Sequence, residues 1–534
     1  MFIKIKNVKK IGINEASYIY KVLCRHRNKI KKKEIISNKN NKLLFLTALF
    51  ERDIFAFETC NLQTAYLIGR LNFELSNELK SCFSSSQYYS YKFGIYRFLK
   101  PRNLSFFFFF KTIYIALKWI LLFSLSIVDF VLIIIYALFN ITWRKFLNIS
   151  LQSNKKNLSI NNLYTIFYWI KKGRSSATYY YPEFFLKKSK LALIIEFANC
   201  RFISKGIISA SNQKYFITAI DLLDYKKLFF AIRDLLKIYH MDIRKVKDFN
   251  YSDFVLNFFN IRTLNRRLFA LLSFHAIPNL VQEKSLERIF IWSENQFCQR
   301  TINLSLYQYL EENPRKKVLV SSFIGSFYSN NYCPHRKPDL IEMKNGLWGT
   351  NNFVVQDKAS YKELDLALSD LDVDYKLTIA ENGLKRFKDL NIINNDLKTF
   401  PKRRFIYLTD GNPKEIYLVL LRFFNHREFN YLKNKETSLS IRLHPLIGIN
   451  KAKFYIEKFK KKYSFPNLKI NFIDPKKESI EESMLNSEFC IFGHSSYINR
   501  SIYLRCKVIA IKISYLYSPP IQKEYINSPN LKII

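Results

Sequence analysis

The second half of the chain alternates short apolar runs with amphipathic stretches in a regular order. Between positions 404 and 513 the strand-like runs are RFIYLTD, LSIRLHP, LKINFID, FCIFG and KVIAIKI. Helical spacing of apolar residues occupies the intervals between them, at 413–424, 451–462, 478–485 and 497–504. This alternation predicts a doubly wound parallel sheet with helices on both faces.

A looser series of the same kind precedes it. An amphipathic helix is expected at 222–240, and the strand-like runs that follow are RIFIW, KKVLVSSFIG, NNFVVQ and DYKLTIAEN. A polar, basic linker at 394–404 separates the two series. With 534 residues the chain is too long for one ordinary core. We therefore predict two Rossmann-like domains, over 150–393 and 404–534, that face a cleft.

One long apolar segment, 104–143, interrupts the first half. Its charged residues are Lys111, Lys118 and Asp129. About 20 apolar residues cross a bilayer, so this segment fits two short helices or one long, tilted one. Basic flanks at both ends favour a hairpin that enters and leaves on the cytoplasmic side. Lys118 and Asp129 favour a buried hairpin in a soluble domain instead, whereas the missing polar face favours membrane insertion or shallow embedding.

The N-terminal positions 1–103 carry no motif of known chemistry and are assigned to the first domain. They include strand-like runs such as LLFLTALF at 43–50. The start of the chain lacks the apolar core and cleavage site of a secretory signal. The eight cysteines lie far apart, without the spacing of a zinc site or a disulfide framework. These features favour the cytoplasmic side of a bacterial inner membrane.

The formal charge of the chain is +42, from 85 Lys and Arg against 43 Asp and Glu. Such a balance suits an anionic membrane surface, an anionic substrate or nucleic acid. Drift of surface positions to lysine in an AT-rich genome explains it equally well. Because the basic residues form no compact DNA-binding or RNA-binding motif, nucleic acid is not expected as a partner.

Polar residues recur at the ends of successive strands of the second series. They are Thr409, Asp410 and Gly411; Arg442, His444 and Pro445; and Gly493, His494, Ser495 and Ser496. The carboxyl ends of parallel strands and the helix starts beyond them bind anions. Each group has an ordinary explanation, since a serine pair before a helix is a common cap. Their recurrence predicts an anion site at this edge of the sheet.

These motifs resemble a known group of enzymes. The stretches ENQ at 294–296, VSSFIGSFY, LKRFKDL, IRLHP and SIEESMLNSEFCIFGHSSYINRSIYLRCKVIAI are similar to bacterial surface-carbohydrate biosynthesis transferases of the GT-B fold. That superfamily also contains bacterial sialyltransferases, Kdo transferases of capsule assembly and CDP-glycerol-type polyol-phosphate transferases. The resemblance covers less than half of the chain. It implies a GT-B-like α/β fold, with the apolar helical hairpin as an insertion.

The resemblance also implies a donor site. His444 with Pro445, and Ser495 with Ser496, would contact the phosphate of a nucleotide sugar at the strand end that holds Gly493. An imidazole, hydroxyls and helix-start amides stabilise a leaving phosphate. Arg442 either adds a charge-assisted contact or lies on the far face of the sheet.

Two acids are candidates for the catalytic base. Asp410, in TDG, resembles the acid motif of the sialyltransferase branch, but there the motif belongs to the first half of the fold. Glu294 follows a strand of the first half and would deprotonate an acceptor hydroxyl from that side. An acid at a helix start that complements the macrodipole is the alternative for Glu294.

The sequence thus predicts a glycosyltransferase that moves a sugar from a nucleotide-activated donor to a lipid-linked or saccharide acceptor in surface polysaccharide biosynthesis. No metal or other cofactor is expected, because the acidic run DLDVD at 370–374 does not follow a strand. The alternatives are a polyol-phosphate transferase of the CDP-glycerol type and a non-catalytic, membrane-anchored binding protein of the same fold.

Overall fold

The computed structural model describes a set of segments that together carry two β-sheets. The described residues are 32, 35, 41–46, 106–147, 162–169, 192–198, 202–211, 216–243, 261–283, 286–293, 297–324, 340–355, 357–379, 403–409, 413–434, 436–444, 447–463, 465, 468–474, 477–493, 495, 497–512 and 521–534.

The first sheet has seven strands in the order β3-β2-β1-β4-β5-β6-β7. They are β1 (Asn162–Trp169), β2 (Ala192–Ala198), β3 (Phe216–Thr218), β4 (Arg288–Trp292), β5 (Leu319–Ile324), β6 (Asn352–Val355) and β7 (Lys376–Ile379). The pairs β1–β2, β2–β3, β1–β4 and β4–β5 are parallel. The strand order reverses between β1 and β4, which is the Rossmann arrangement.

Seven helices precede, separate or follow these strands along the described part of the chain up to β7. They are α1 (Phe106–Phe146), α2 (Ile203–Ser211), α3 (Tyr225–Ile243), α4 (Ile261–Glu283), α5 (Phe297–Glu312), α6 (Leu340–Lys344) and α7 (Lys358–Ser369). Short 3-10 helices occupy Lys42–Leu46 and Ala219–Leu222. The middle of α4 lies in the core, since every side chain from Leu268 to Leu272 is buried.

The second sheet has six strands in the order β10-β9-β8-β11-β12-β13. They are β8 (Arg403–Leu408), β9 (Thr437–Arg442), β10 (Leu468–Phe472), β11 (Ser487–Phe492), β12 (Lys507–Ala510) and β13 (Leu531–Ile533). All five neighbouring pairs are parallel. The helices between the strands are α8 (Pro413–Asn425), α9 (Ile449–Tyr463), α10 (Ile480–Leu485) and α11 (Tyr497–Tyr503).

Alternation along the strands divides the apolar residues of the second sheet between two cores. Tyr407 and Ile491 face one core together with α8 and α9. Leu408 and Phe492 face the other, with Met484 of α10 and Ile498 of α11. The sheet is therefore covered by helices on both faces, which explains why its strands are almost continuously hydrophobic.

The chain forms two compact units, and α7 belongs to the second one. Its Ser360 accepts a hydrogen bond from Gln522 Nε2 at 3.0 Å, and Glu363 accepts one from the Lys523 backbone N–H at 2.6 Å. These contacts join α7 to the segment that leads into β13.

The prediction of an α/β fold with two Rossmann-like domains is confirmed, and three details differ. The apolar hairpin is wrong: α1 is a single helix of 41 residues, because the segment contains no Gly or Pro to turn it. The run at 43–50 was expected to be strand-like, but Lys42–Leu46 is a 3-10 helix with buried Leu44, Phe45 and Leu46. The sequence patterns also missed β1, β2, β3 and β13.

Candidate functional site

The predicted site residues of the second sheet follow strands β8, β9 and β11, which are neighbours where the strand order reverses. Strands β8 and β11 are neighbours, with Leu408 opposite Phe492, and Leu408 is also opposite Arg442 of β9. The helix that follows β8 packs on one face and the helix that follows β11 packs on the other. In open α/β sheets such a reversal is the position of a crevice beyond the carboxyl ends of the two strands, here β8 and β11.

Thr409 links the ends of β8 and β9 at this crevice. Its backbone N–H donates to the Arg442 carbonyl at 3.1 Å, and its Oγ1 accepts from the His444 backbone N–H at 2.8 Å. The side chain of Thr409 is buried. His444 is thereby held two residues beyond the end of β9, beside the end of β8.

The His444 imidazole is half-buried, and this burial lowers its pKa below the ordinary histidine value. Desolvation disfavours the charged form of a buried base. At neutral pH the ring is therefore uncharged and offers one N–H donor and one acceptor. A phosphate at this ring would be bound by a hydrogen bond, and its charge would favour protonation of the ring.

Arg442 points toward α10. Its Nη1 donates to the Glu478 carbonyl at 2.7 Å and to Ser483 Oγ at 3.0 Å. Glu478 in turn accepts from Arg403 Nη2 at 2.8 Å. These contacts brace β9 against the start of α10 and favour the second expectation for Arg442, a side chain on the far face of the sheet.

Gly493 directly follows β11 and lies against a buried carboxylate. A Cβ at this position would overlap the Glu415 carboxyl group and lie 3.0 Å from Val419 Cγ2. Glu415 is 2% exposed, and Tyr407 Oη donates to its Oε1 at 3.3 Å. A larger residue here would therefore displace the buried Glu415 carboxyl group, which approaches the end of β11. The contribution expected for Gly493 at a phosphate stays a prediction.

Glu415 was not a candidate from the sequence. An acid in the first turn of a helix that starts with proline is usually explained by the helix dipole, and α8 starts at Pro413. What distinguishes Glu415 is its contact with Gly493, which follows a different strand. That contact could be predicted only if β8 and β11 were known to be neighbours.

Ser495 lies at the start of α11 and is 9% exposed. Its Oγ accepts from the Tyr497 backbone N–H at 3.4 Å, and its carbonyl accepts from the Ile498 N–H at 3.3 Å. These bonds match the ordinary capping explanation for the serine pair. Contact of Ser495 with a phosphate stays a prediction.

Six of the motif residues lie outside the described residues: Glu294, Asp410, Gly411, Pro445, His494 and Ser496. Their neighbours fix where they belong in the chain. Strand β4 ends at Trp292 and α5 begins at Phe297, so Glu294 falls in a β–α connection of the first sheet. Asp410 falls in the sequence between the end of β8 at Leu408 and the start of α8 at Pro413.

A polar cluster that the sequence did not indicate lies beside β2 in the first unit. Arg266 Nε pairs with Glu196 Oε1 at 2.8 Å. Burial, followed by the nearby Glu196 carboxylate, raises the pKa of the Cys298 thiol well above its usual value. The thiol is therefore protonated at neutral pH, which argues against a nucleophilic role.

A cavity of about 710 Å³ lies on the face of β8, β9 and β10. It is lined by polar side chains that include Ser438, Ser440 and Asn471. His444, Gly493 and Ser495 do not line it. The cavity is thus separate from the crevice at the strand ends.

No protein-family model and no curated protein matches the chain. Among solved structures, it is similar to an S. aureus MnaA–UDP co-structure (12% identity, 70% of this chain and 84% of that chain, TM-score 0.38). It is also similar to the UDP-GlcNAc 2-epimerase of Methanocaldococcus jannaschii (10%, 70% and 88%, TM-score 0.37) and to a glycosyltransferase of Rickettsia africae (11%, 69% and 82%, TM-score 0.34). TM-scores this low carry no weight for the function. The order of the strands in the two sheets defines the class, an α/β protein with two Rossmann-like sheets.

Proposed function

We propose that the chain is a glycosyltransferase that takes a sugar from a nucleotide-activated donor and transfers it to a lipid-linked or saccharide acceptor. The observation that carries this proposal is the hydrogen bond between Thr409 and His444 at the ends of β8 and β9, where the strand order of the second sheet reverses. Gly493 and Ser495 follow the neighbouring strand β11. In open α/β sheets, nucleotides bind at such reversals.

The neutral His444 suits the phosphate that leaves with the nucleotide. A ring N–H donates a hydrogen bond to the ground-state phosphate, and the bond strengthens as negative charge develops during cleavage of the sugar–phosphate bond. Glu294 or Asp410 accepts the proton of the attacking hydroxyl in this proposal.

A role in surface polysaccharide synthesis at the cytoplasmic face of a bacterial membrane completes the proposal. It is supported by the apolar character of Ser124–Phe146, of which only 28% of the most apolar stretch is buried in the protein. A lipid-linked acceptor would be reached at such a surface.

A nucleotide panel tests the donor site. Purified protein is heated with CMP, CDP, UDP, GDP or dTDP and with the corresponding sugar nucleotides, and the melting temperature is recorded. We expect one base to raise it, because a ligand that binds only the folded state stabilises it. His444→Ala and Ser495→Ala should remove the rise.

Matched controls are His426→Ala and Ser438→Ala, which change the same residue types away from the crevice. Both should keep the full rise. No rise with any compound, or an equal loss in the control variants, would contradict a nucleotide site at the reversal point.

Product analysis separates the alternatives. Transfer from a nucleoside diphosphate sugar releases a nucleoside diphosphate, whereas polyol-phosphate transfer from CDP-glycerol releases CMP and leaves a phosphate in the product. A binding protein of the same fold would bind nucleotide and release neither.

A further inference from the structure

Helix α1 has two different faces along its C-terminal half. The exposed face holds apolar residues and two small hydroxyl residues, with no charged side chain between Ser124 and Trp143. Its largest exposed hydrophobic residues are Val128, Val131, Leu132, Ile135, Leu138, Phe139 and Trp143. Only 28% of the most apolar 18-residue stretch of Ser124–Phe146 is buried in the protein. A soluble surface helix would present charged residues here.

The opposite face of α1 is fixed to the first unit by Asp129. This carboxylate is 1% exposed and accepts from the backbone N–H groups of Ile203 and Ser204 at 2.9 and 3.0 Å. It also accepts from the Ser204 hydroxyl and, at 2.7 Å, from Asn265 Nδ2. Asp129 thus caps the start of α2 and explains the charged residue in an apolar segment.

Arg144 fixes the same face at the other end of the helix. Its guanidinium donates to the carbonyls of Asp221 at 2.7 Å and Leu223 at 2.6 Å. Between the two anchors Ile133, Ala137 and Ile141 are buried at helical spacing. Asp129 and Arg144 are about 22 Å apart along the axis at 1.5 Å per residue, so this whole length is docked on the protein.

A helix docked in this way cannot be surrounded by lipid. Crossing a bilayer would place Asp129 in hydrocarbon without its four hydrogen bonds, or would pull α2 and α4 in with it. We propose that α1 lies in the plane of the membrane, with its exposed apolar face inserted into one leaflet of an anionic bilayer and its Asp129 face on the protein.

Helix α3 extends this surface beside the end of α1. The Tyr225 hydroxyl is hydrogen-bonded to Thr142 Oγ1 at 2.8 Å, and Lys145 Nζ lies 4.5 Å from the centre of the Tyr225 ring. Phe229 and Leu236 are 63% and 65% exposed. Successive residues of a helix are rotated by about 100° around its axis. Tyr225, Phe229 and Leu236 therefore lie on one side of α3, within about 40° of one another.

The cations of α3 flank this apolar edge. Lys226, Arg233 and Lys237 are exposed and lie about 80° to 120° around the axis from Tyr225. An apolar strip bordered by Lys and Arg is the arrangement of interfacial helices, whose cations attract anionic headgroups. A second copy of this basic chain would instead bring like charges to the same border.

Aromatic residues mark the C-terminal end of the α1 surface. Phe139 and Trp143 stack with ring centres 6.1 Å apart, and Trp143 and Phe146 stack at 6.2 Å. Tryptophan prefers the headgroup level of a bilayer, so Trp143 beside Lys145 fits a position at the interface.

Vesicle binding tests the surface. Full-length protein is mixed with vesicles of phosphatidylglycerol and phosphatidylethanolamine, and with vesicles of phosphatidylcholine. We expect binding to the anionic vesicles, reduced about tenfold or more by Val131→Glu with Ile135→Glu, because carboxylates are costly in lipid. Lys226→Ser with Lys237→Ser should weaken binding to anionic vesicles and its salt dependence. The control Ile449→Glu with Phe454→Glu, at exposed apolar positions of α9 in the second unit, should bind as the wild type does.

Depth measurement separates an in-plane helix from a spanning one. A small fluorescent amino acid is placed at Val128, Ile135 or Phe139 and quenched by lipids brominated at shallow or deep acyl carbons. We expect the same depth at all three positions. A spanning helix would spread the outer two by about 16 Å of helix length, and that result would overturn the proposal.

Two further results would also overturn it. If vesicles do not bind and the protein self-associates in a way that the double glutamate variant abolishes, a second copy covers the face. If neither vesicle binding nor self-association occurs, the face is covered within the chain. The inference does not rest on the proposed function, so a negative nucleotide panel leaves it unaffected.

Discussion

The two units place a buried carboxylate in very different settings. In the first unit Asp129 receives hydrogen bonds from Ile203, Ser204 and Asn265, and it joins an added helix to the Rossmann-like core. In the second unit Glu415 lies at the strand-order reversal, against a glycine that leaves room for it. The strand order 3-2-1-4-5 is shared. The difference shows that sheets of the same strand order can place a buried acid under a docked helix in one unit and beside the strand-order reversal in the other.

Removal of the Asp129 carboxylate should have the largest effect. Asp129→Ala leaves buried N–H and O–H donors without their acceptor, so we expect a loss of about 3 kcal/mol or more in the free energy of unfolding. Urea denaturation followed by circular dichroism measures it. Asp374→Ala, at an exposed position, should change stability by less than about 0.5 kcal/mol. Equal small effects would show that Asp129 does not anchor α1.

A methyl group at the end of β11 should have the next largest effect. Gly493→Ala forces the Ala Cβ against Glu415 and should cost about 1–3 kcal/mol, measured by the same denaturation. Gly448 has nothing within 4 Å of an added Cβ, so Gly448→Ala should be neutral or slightly stabilising.

The Gly493–Glu415 contact can be isolated by a double-mutant cycle. If the two groups meet as described, Glu415→Ala should relieve part of the cost of Gly493→Ala, so the two changes should not be additive. Strict additivity would mean that the glycine is required for another reason.

The smallest expected effect is the pH dependence at His444. Its pKa is lowered in the folded state, so the unfolded state binds a proton first as the pH falls. The contribution to stability is therefore full above about pH 6.5, the usual histidine pKa, and declines below it toward the lower folded value. His444→Gln should flatten this part of the curve of unfolding free energy against pH. An unchanged curve would show that His444 is not desolvated.

The second sheet was largely predictable because each strand and helix carries its own local period. β9, for example, alternates Leu439 and Ile441 inward, and α8 repeats apolar residues at helical spacing. Strand β13 was not predicted, because three residues are too few to show a period. The single helix α1 could have been predicted from the absence of Gly and Pro, but the basic flanks favoured a hairpin.

The contacts that define the site are not local. Asp129 reaches Ile203 across 74 positions and Thr409 meets His444 across 35. Periodicity gives the side of a strand or helix that is buried, but it does not give the partner of a buried polar group. The strand ends were therefore predicted correctly as polar, whereas the contacts of Arg442 and Glu415 became known only from the neighbouring elements.

Hydrogen exchange with bound nucleotide tests the central claim most directly. Exchange of backbone amides is compared with and without each of CMP, CDP, UDP, GDP and dTDP, in the wild type and in His444→Ala. The account predicts that one nucleotide slows exchange at the ends of β8, β9 and β11, around Thr409, His444 and Ser495, and that His444→Ala weakens this protection. Protection confined to the cavity beside Ser438 and Asn471, or no protection by any nucleotide, would contradict it.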